Sequence, residues 1–316
     1  MNNSILFFEL NGEGGITSLT QEQWLVSKQI TWLHGDITGI KPILKKLDCI
    51  SKIDGHALTA KETRPRSSCH QGALLATIRD IKPNKNHKNP ELLSLRLWAN
   101  KNRVITIQKK PSATIEVLRQ SLESGNGPKD ISEFLINLLT MLTESASNAI
   151  FKMDDDLDAI EDLIQKGPSE SARVNLNQAR RNIIVMRRYL LPQYEAINNI
   201  SVEHLSWLSL EANNQIKDMA STNKHLCETL DSEFQRASII YDNMYAQSQD
   251  VMNKKIYILT IIACIFMPLS FITGLLGINV GGIPGNNYHY AFAIVCITLV
   301  AIFVLQCLYF KIKKEW

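Results

Sequence analysis

The sequence predicts a mixed α+β (α/β) domain, then a long helical stalk, then two transmembrane helices at the C-terminal end. Three observations lead there. From Ile256 to Leu276 and from Ala291 to Phe310 no side chain is charged, and each run matches the roughly 20 residues a helix needs to cross a bilayer. Between residues 131 and 255 the pattern is helical, interrupted by Gly167, Pro168 and Pro192. Before residue 125, strand and helix signals mix.

Segments Ser4–Leu10, Ile30–Leu33, Leu74–Ile81, Leu92–Ala99 and Val104–Lys109 read as strands, the last two joined by a polar turn at Asn100–Asn102. Ser18–Lys28, Lys41–Leu47 and Ser112–Glu123 read as helices. The loop SGNGPKD at 124–130 closes this part, which gives a first domain over 1–128. A helix then runs from Ile131 to Lys166 and stops at Gly167 and Pro168; a second runs from Ser169 to Ile200, bent at Pro192.

From Ser209 to Leu276 there is no Pro before Pro268 and no Gly before Gly274. Stalk (129–255) and first span (256–276) therefore read as one helix on the order of 100 Å long. Such a helix needs partners. Leu230, Ala237, Met244 and Val251 recur every seven residues, which suits either a coiled-coil stalk or packing on the chain's own two preceding helices.

The short loop at 277–290 holds neither Lys nor Arg, whereas Lys254 and Lys255 precede the first span and Lys311, Lys313 and Lys314 follow the second, in the tail 311–316. Basic flanks point inward, so both termini are expected in the cytoplasm and the loop outside. The N-terminus MNNSILFFELNGEGG lacks a basic region followed by an apolar one and does not read as a signal peptide. A net charge of +3, dispersed along the chain, excludes nucleic acid as a partner. Six cysteines without a CxxC pair fit reduced thiols.

The first span carries a face unlike a lipid-facing surface. Asn253, Thr260, Met267 and Gly274 form one column at heptad spacing, and Ile256, Ala263, Ser270 and Gly277 form its neighbour. Small and weakly polar residues on one stripe allow close helix packing or line a water-filled path. The second span has no such stripe, which places it outside the first. One such helix per subunit requires several subunits around an axis. Extended down the stalk, the second column reaches Asp242, which is either a carboxylate near that axis or a solvated surface residue.

Other constellations are weaker. In DDDLDAIED at 154–162, Asp154, Asp158, Glu161 and Asp162 share a helical face; it could hold metal, but a solvated face paired with Arg173, Arg180, Arg181, Arg187 and Arg188 of the next helix is favoured. Cys69–His70 and His225–Cys227 are the only close Cys–His pairs, and neither has zinc-ligand spacing. His289, at the outer end of the second span, could titrate near neutral pH and so couple protons. No nucleophile elbow, phosphate loop or paired-carboxylate arrangement stands out, so neither catalysis nor a cofactor is expected.

The segment GINVGGIPG, with paired C-terminal spans and a basic tail, resembles the Gly-x-Asn signature of the CorA superfamily of divalent-metal transporters. KETRPR at 61–66, IVMRRYLLPQ at 184–193 and FITGLLGINVGGIPG at 271–285 are similar to its zinc-transporting subgroup. The resemblance implies a funnel-shaped homopentamer in a bacterial inner membrane, surrounded by lipid, that carries zinc or another divalent cation, with zinc uptake coupled to protons. It implies Gly277, Ile278 and Asn279 at the outer mouth, Asn253, Thr260, Met267, Ser270 and Gly274 along the pore, and Asp242 at the acidic inner mouth. Ile278 stands where magnesium-transporting relatives carry Met, and the following loop holds no Asp or Glu. Neutral oxygen ligands alone do not prefer zinc. The rival readings are a magnesium or cobalt channel of the same architecture and a membrane-anchored sensor or scaffold.

Overall fold

The computed structural model describes residues 5–61, 64–82, 90–167, 169–278, 283, 285 and 288–312. The chain divides into two compact units, Met1–Asp242 and Asn243–Trp316.

The first unit is built on a seven-stranded sheet. Its strands are β1 (Leu6–Leu10), β2 (Ile16–Ser18), β3 (Thr31–Asp36), β4 (Arg66–His70), β5 (Ala73–Lys82), β6 (Glu91–Ala99) and β7 (Arg103–Gln108), in the order β2-β1-β3-β7-β6-β5-β4. Only β3 and β7 run parallel, with Thr31 opposite Arg103 and Asp36 opposite Gln108; the other neighbours are antiparallel.

Both faces of the sheet are covered, because successive strand side chains point to opposite sides. On β3, Trp32 enters one core and Leu33 the other; on β7, Val104 and Ile105 divide in the same way. Helices α1 (Gln21–Val26), α2 (Ile37–Leu44) and α3 (Lys52–Leu58) cover the Leu33 face with Trp24, Ile40 and Leu58. On the Trp32 face lie α4 (Ala113–Glu123) and parts of α5 (Ile131–Gln165), α6 (Glu170–Val202) and α7 (Leu210–Leu276), through Leu118, Phe134, Ile197 and Ile216.

Helix starts follow from side-chain caps that accept otherwise unpaired amides. Ser112 accepts from Ile115 N, Asp130 from Glu133 N at 2.8 Å and Ser169 from Ala172 N. Two glycines make the turn between α4 and α5 possible: Gly127 N donates to Gly14 O at 2.8 Å, and a Cβ on Gly14 would lie 2.7 Å from Gly127 O. Gly14 also has φ +92°, which side chains disfavour.

Beyond the sheet, α5, α6 and α7 form a bundle. Buried positions step by three and four along each: Ala146, Ile150, Met153, Leu157, Ile160 and Ile164 on α5; Leu176, Ala179, Ile183, Met186 and Leu190 on α6; Leu226, Leu230, Glu233, Ala237 and Ile240 on α7. That spacing keeps one stripe facing its partners, and each fully buried Leu or Ile contributes about 1.5–3 kcal/mol. The helices are tied to the sheet by Ser67 Oγ donating to Ala196 O, Arg79 N to Gln193 Oε1 and Ser145 Oγ to Ile81 O, at 2.7–2.8 Å.

Of the two readings of the heptad column, packing within the chain holds for Leu230, Ala237 and Met244, which are buried in it; Val251 is exposed. Several other expectations need correction. The helix expected at Lys41–Leu47 is α2, displaced upstream because Asp36 caps it, accepting from Gly39 N at 2.7 Å. α1 is shorter than Ser18–Lys28, fixed by reciprocal bonds between Thr20 and Gln23. β2, α3 and β4 were not anticipated. α6 continues through Pro192. The most apolar part of α5 is long and apolar enough to cross a membrane by composition, but its Leu135, Leu138, Leu139 and Leu142 are core residues of the first unit.

Candidate ion path

In the second unit, the last part of α7 lies against α8 (Ala291–Ile312). Ile261 and Ile265 are buried and Leu269 and Ile272 half-buried, spaced four, four and three along one face. On α8, half-buried Ala291, Val295, Leu299, Ile302, Gln306 and Phe310 again share one face, with Cys296 and Cys307 half-buried beside it. Gln306 Nε2 reaches the Cys264 carbonyl at 3.5 Å. Pro268 explains that contact: it lacks an N–H, so the carbonyl four residues earlier, Cys264, has no helical donor.

The other face of α7 carries the two columns. Asn253, Thr260, Met267 and Gly274, and Ile256, Ala263, Ser270 and Gly277, are all exposed on the single chain. At about 100° per residue they lie well away from the Ile261–Ile265 seam. Thr260 Oγ1 donates to Ile256 O at 2.9 Å, which leaves its oxygen as an acceptor toward the column. Among the described residues nothing lies within 4 Å of where a Cβ on Gly274 would stand, so no packing there requires its small size. Gly277 differs: a Cβ there would lie 3.0 Å from Thr273 O, at the carbonyl that its own N–H meets at 2.9 Å as α7 ends.

α8 turns large apolar side chains outward, among them Phe292, Ile297, Val300 and Leu305. Its most apolar stretch has a mean hydropathy of 2.7, against 2.3 in α7. A helix apolar on every exposed side suits contact with lipid.

A sequence profile described as CorA-like Mg2+ transporter protein matches residues 27–314. The chain belongs to that family. CorA-like proteins are transporters and not enzymes. Among relatives, the zinc transport protein ZntB of Pectobacterium carotovorum subsp. carotovorum (strain PC1) is 30% identical, over 93% of this chain and 90% of its own length. Among solved structures, the full-length CmaX protein is 29% identical with a TM-score of 0.83, covering 100% of this chain and 99% of its own. The CorA magnesium transporter from Methanocaldococcus jannaschii superposes with a TM-score of 0.82 over 98% of both chains at 16% identity, which speaks for the fold alone.

The remaining candidates of this CorA-like chain are placed as follows. Ile278 is exposed, and Asn279 lies outside the described residues, as do Lys313 and Lys314 of the tail. Asp242 is exposed at the end of the first unit. His289 is exposed, with its ring edge-on to Tyr290 at 5.3 Å.

The acidic face of α5 is paired, but not with the basic row of α6. Arg236 of α7 is its partner: it bonds Asp154 Oδ1 at 2.7 Å, Glu161 Oε2 at 2.7 Å and Asp158. Asp162 is exposed and takes no part. Of the α6 arginines, Arg173 pairs with Glu170, Arg187 with Asp231, and Arg180 lies over the Tyr241 ring. Buried Glu233, one turn before Arg236, has its carboxyl pushed up by desolvation and by Asp154. Among the described residues no three His, Cys, Asp or Glu side chains are grouped to hold a metal.

Neither Cys–His pair closes. His70 Nδ1 lies 2.9 Å from Asp54 Oδ1, and burial pushes the Cys69 thiol up to about 11. His225 meets Glu228 at 3.8 Å, and burial holds Cys227 near 11 as well. Thiols that stay protonated at neutral pH are poor zinc ligands.

Two features escaped the sequence reading. Arg236 gave no local signal, since its partners lie some 80 positions away. Gln306 could have been found: a proline in a span frees the carbonyl four residues before it, and a lone amide in the next span is the natural donor.

Proposed function

We propose that this chain is a subunit of a homopentameric zinc transporter of the bacterial inner membrane, with both termini cytoplasmic. The observation that carries this reading is the division of α7 into two faces. One packs on α8; the other presents Thr260, Met267, Ser270 and Gly274, all exposed among the described residues. Five copies around an axis would turn that face to a shared water-filled path and α8 to lipid. Gly277, Ile278 and Asn279 would form the outer mouth, and Asp242 a ring of carboxylates at the inner one.

Zinc as cargo is supported by the name of the ZntB relative, not by ligand chemistry. The columns offer hydroxyl, amide and thioether groups and no imidazole or thiolate, so the ion would pass with its water shell. We assign the direction as uptake, coupled to protons, with His289 as the coupling residue. Flux of radioactive zinc into sealed vesicles, with and without a pH gradient and in competition with magnesium, tests this: zinc influx stimulated by an inward proton gradient is expected, and absence of zinc flux under every gradient would refute it.

The family profile supports a second reading, a magnesium or cobalt channel of the same build. Its signature would be magnesium flux that zinc does not exceed and a pH gradient does not alter.

A further inference from the structure

On the Leu33 face of the sheet, opposite the helical bundle, α2 and α3 enclose a cleft of about 660 Å³. That lies within the roughly 300–1,000 Å³ range of small-molecule sites. Its rim carries Lys41, Lys45 and Lys52, with Asp48 as the one acid among the lining residues. Among the described residues none of the three lysines forms an ion pair. Leu44, Leu47 and Ile50 also line the cleft, and all three are otherwise buried.

A second observation comes from Gly55, inside α3 and on the cleft wall. A glycine within a helix costs stability relative to alanine. Here neither backbone nor packing requires it: its φ is not positive, and a Cβ would meet only Ile50 Cγ2, at 4.0 Å. What its absent side chain does is open the helix wall to the cleft.

We propose that this cleft binds a small organic phosphate of the nucleoside di- or triphosphate class. Lys41, Lys45 and Lys52 meet the phosphates as point charges. The nucleoside lies along Leu44, Leu47 and Ile50, close to the helix wall at Gly55. A polyanion alone would use the rim and not the floor; an apolar ligand alone would leave three lysines without a partner. The site lies apart from the transmembrane columns and does not depend on what they conduct.

Calorimetric titration of the full-length protein in detergent tests this, with EDTA present so that no nucleotide–metal complex forms. The probes are ATP, ADP, adenosine and inorganic tripolyphosphate. ATP or ADP should bind at least about tenfold more tightly than adenosine or tripolyphosphate. Lys45→Glu with Lys52→Glu should weaken nucleotide binding by at least about tenfold, and Gly55→Leu should block it. The lysines are surface residues, so their reversal keeps the test decisive even where Gly55→Leu misfolds. No binding by either nucleotide, tripolyphosphate or adenosine binding as tightly as ADP, or nucleotide binding indifferent to the lysine reversal would each overturn the proposal.

Discussion

The side-chain amide of Gln306 lies against the one backbone carbonyl, that of Cys264, which Pro268 deprives of its helical donor. In hydrocarbon an unpaired carbonyl is expensive, so a proline in a span calls for a substitute donor. Gln306→Leu should therefore weaken the α7–α8 hairpin by about 1 kcal/mol, the scale of interhelical hydrogen bonds in bilayers. Pro268→Ala restores the backbone donor and should make the second substitution nearly harmless. Thermal melting of the four proteins in detergent checks this; additive losses would mean that the two residues act independently.

Accessibility should follow the two faces of α7. Cysteines at Thr260, Met267 and Gly274 should react with aqueous thiol reagents in a functional assembly, and cysteines at Ile261 and Ile265 should not. A cysteine-free background is needed, because Cys264 lies between them. Equal reactivity on both faces, or none at the first three positions, would remove the path from this helix.

Asn279→Ala should abolish metal flux while leaving assembly intact, if its amide oxygen holds the hydration shell of an arriving ion. Flux through reconstituted mutant protein, beside its elution volume, decides the matter; normal transport would move the mouth elsewhere.

His34 should make the first unit sensitive to acid. It is buried, with Nδ1 2.8 Å from Thr106 Oγ1, and desolvation lowers its pKa from 6.5 to about 4. Between those values the unfolded chain binds a proton that the folded one refuses, so stability falls as pH drops from about 6.5 to about 4, by up to about 3 kcal/mol. His34→Asn should flatten that slope in urea midpoints measured across the window. An unchanged slope would show that other groups set it.

Removing Arg236 takes the cation from four carboxylates, those of Asp154, Asp158, Glu161 and, at 3.9 Å, Glu233. Arg236→Ala should lower the melting temperature, and by less in high salt, which screens the ion pairs. Glu233→Gln should act oppositely: its carboxyl is raised, so the charged form opposes folding and the amide should be better tolerated at neutral pH. Melting curves of both variants at neutral pH give the signs. Full stability of Arg236→Ala would mean that the ion pairs are solvent-screened.

Much of the architecture was legible because it is local. The long helices begin at Asp130 and Ser169 and α5 gives way at Gly167, all visible as caps and breakers, and the spans show in charge-free runs. The two columns of α7 can be drawn from heptad spacing alone, and both are exposed on the single chain. β4 was not legible: RSSCH has no apolar alternation, and it becomes a strand because β5 pairs with it and α6 accepts from Ser67. β2 is three residues long and exists through its pairing with β1. The partner of Asp154, Asp158 and Glu161 was illegible for the same reason. Choosing Arg236 over five nearer arginines depends on how α7 packs beside α5, which no short-range pattern records.

The hydroxyl of Thr260 gives its hydrogen back to its own helix, to the oxygen of Ile256. In the proposed path it would therefore show a solute lone pairs alone. A halide at this depth would meet no hydrogen from that side chain, whereas the water hydrogens around a metal would find a ready seat. In the proposed assembly, a ring of such groups would sort solutes by the sign of their charge while carrying none itself.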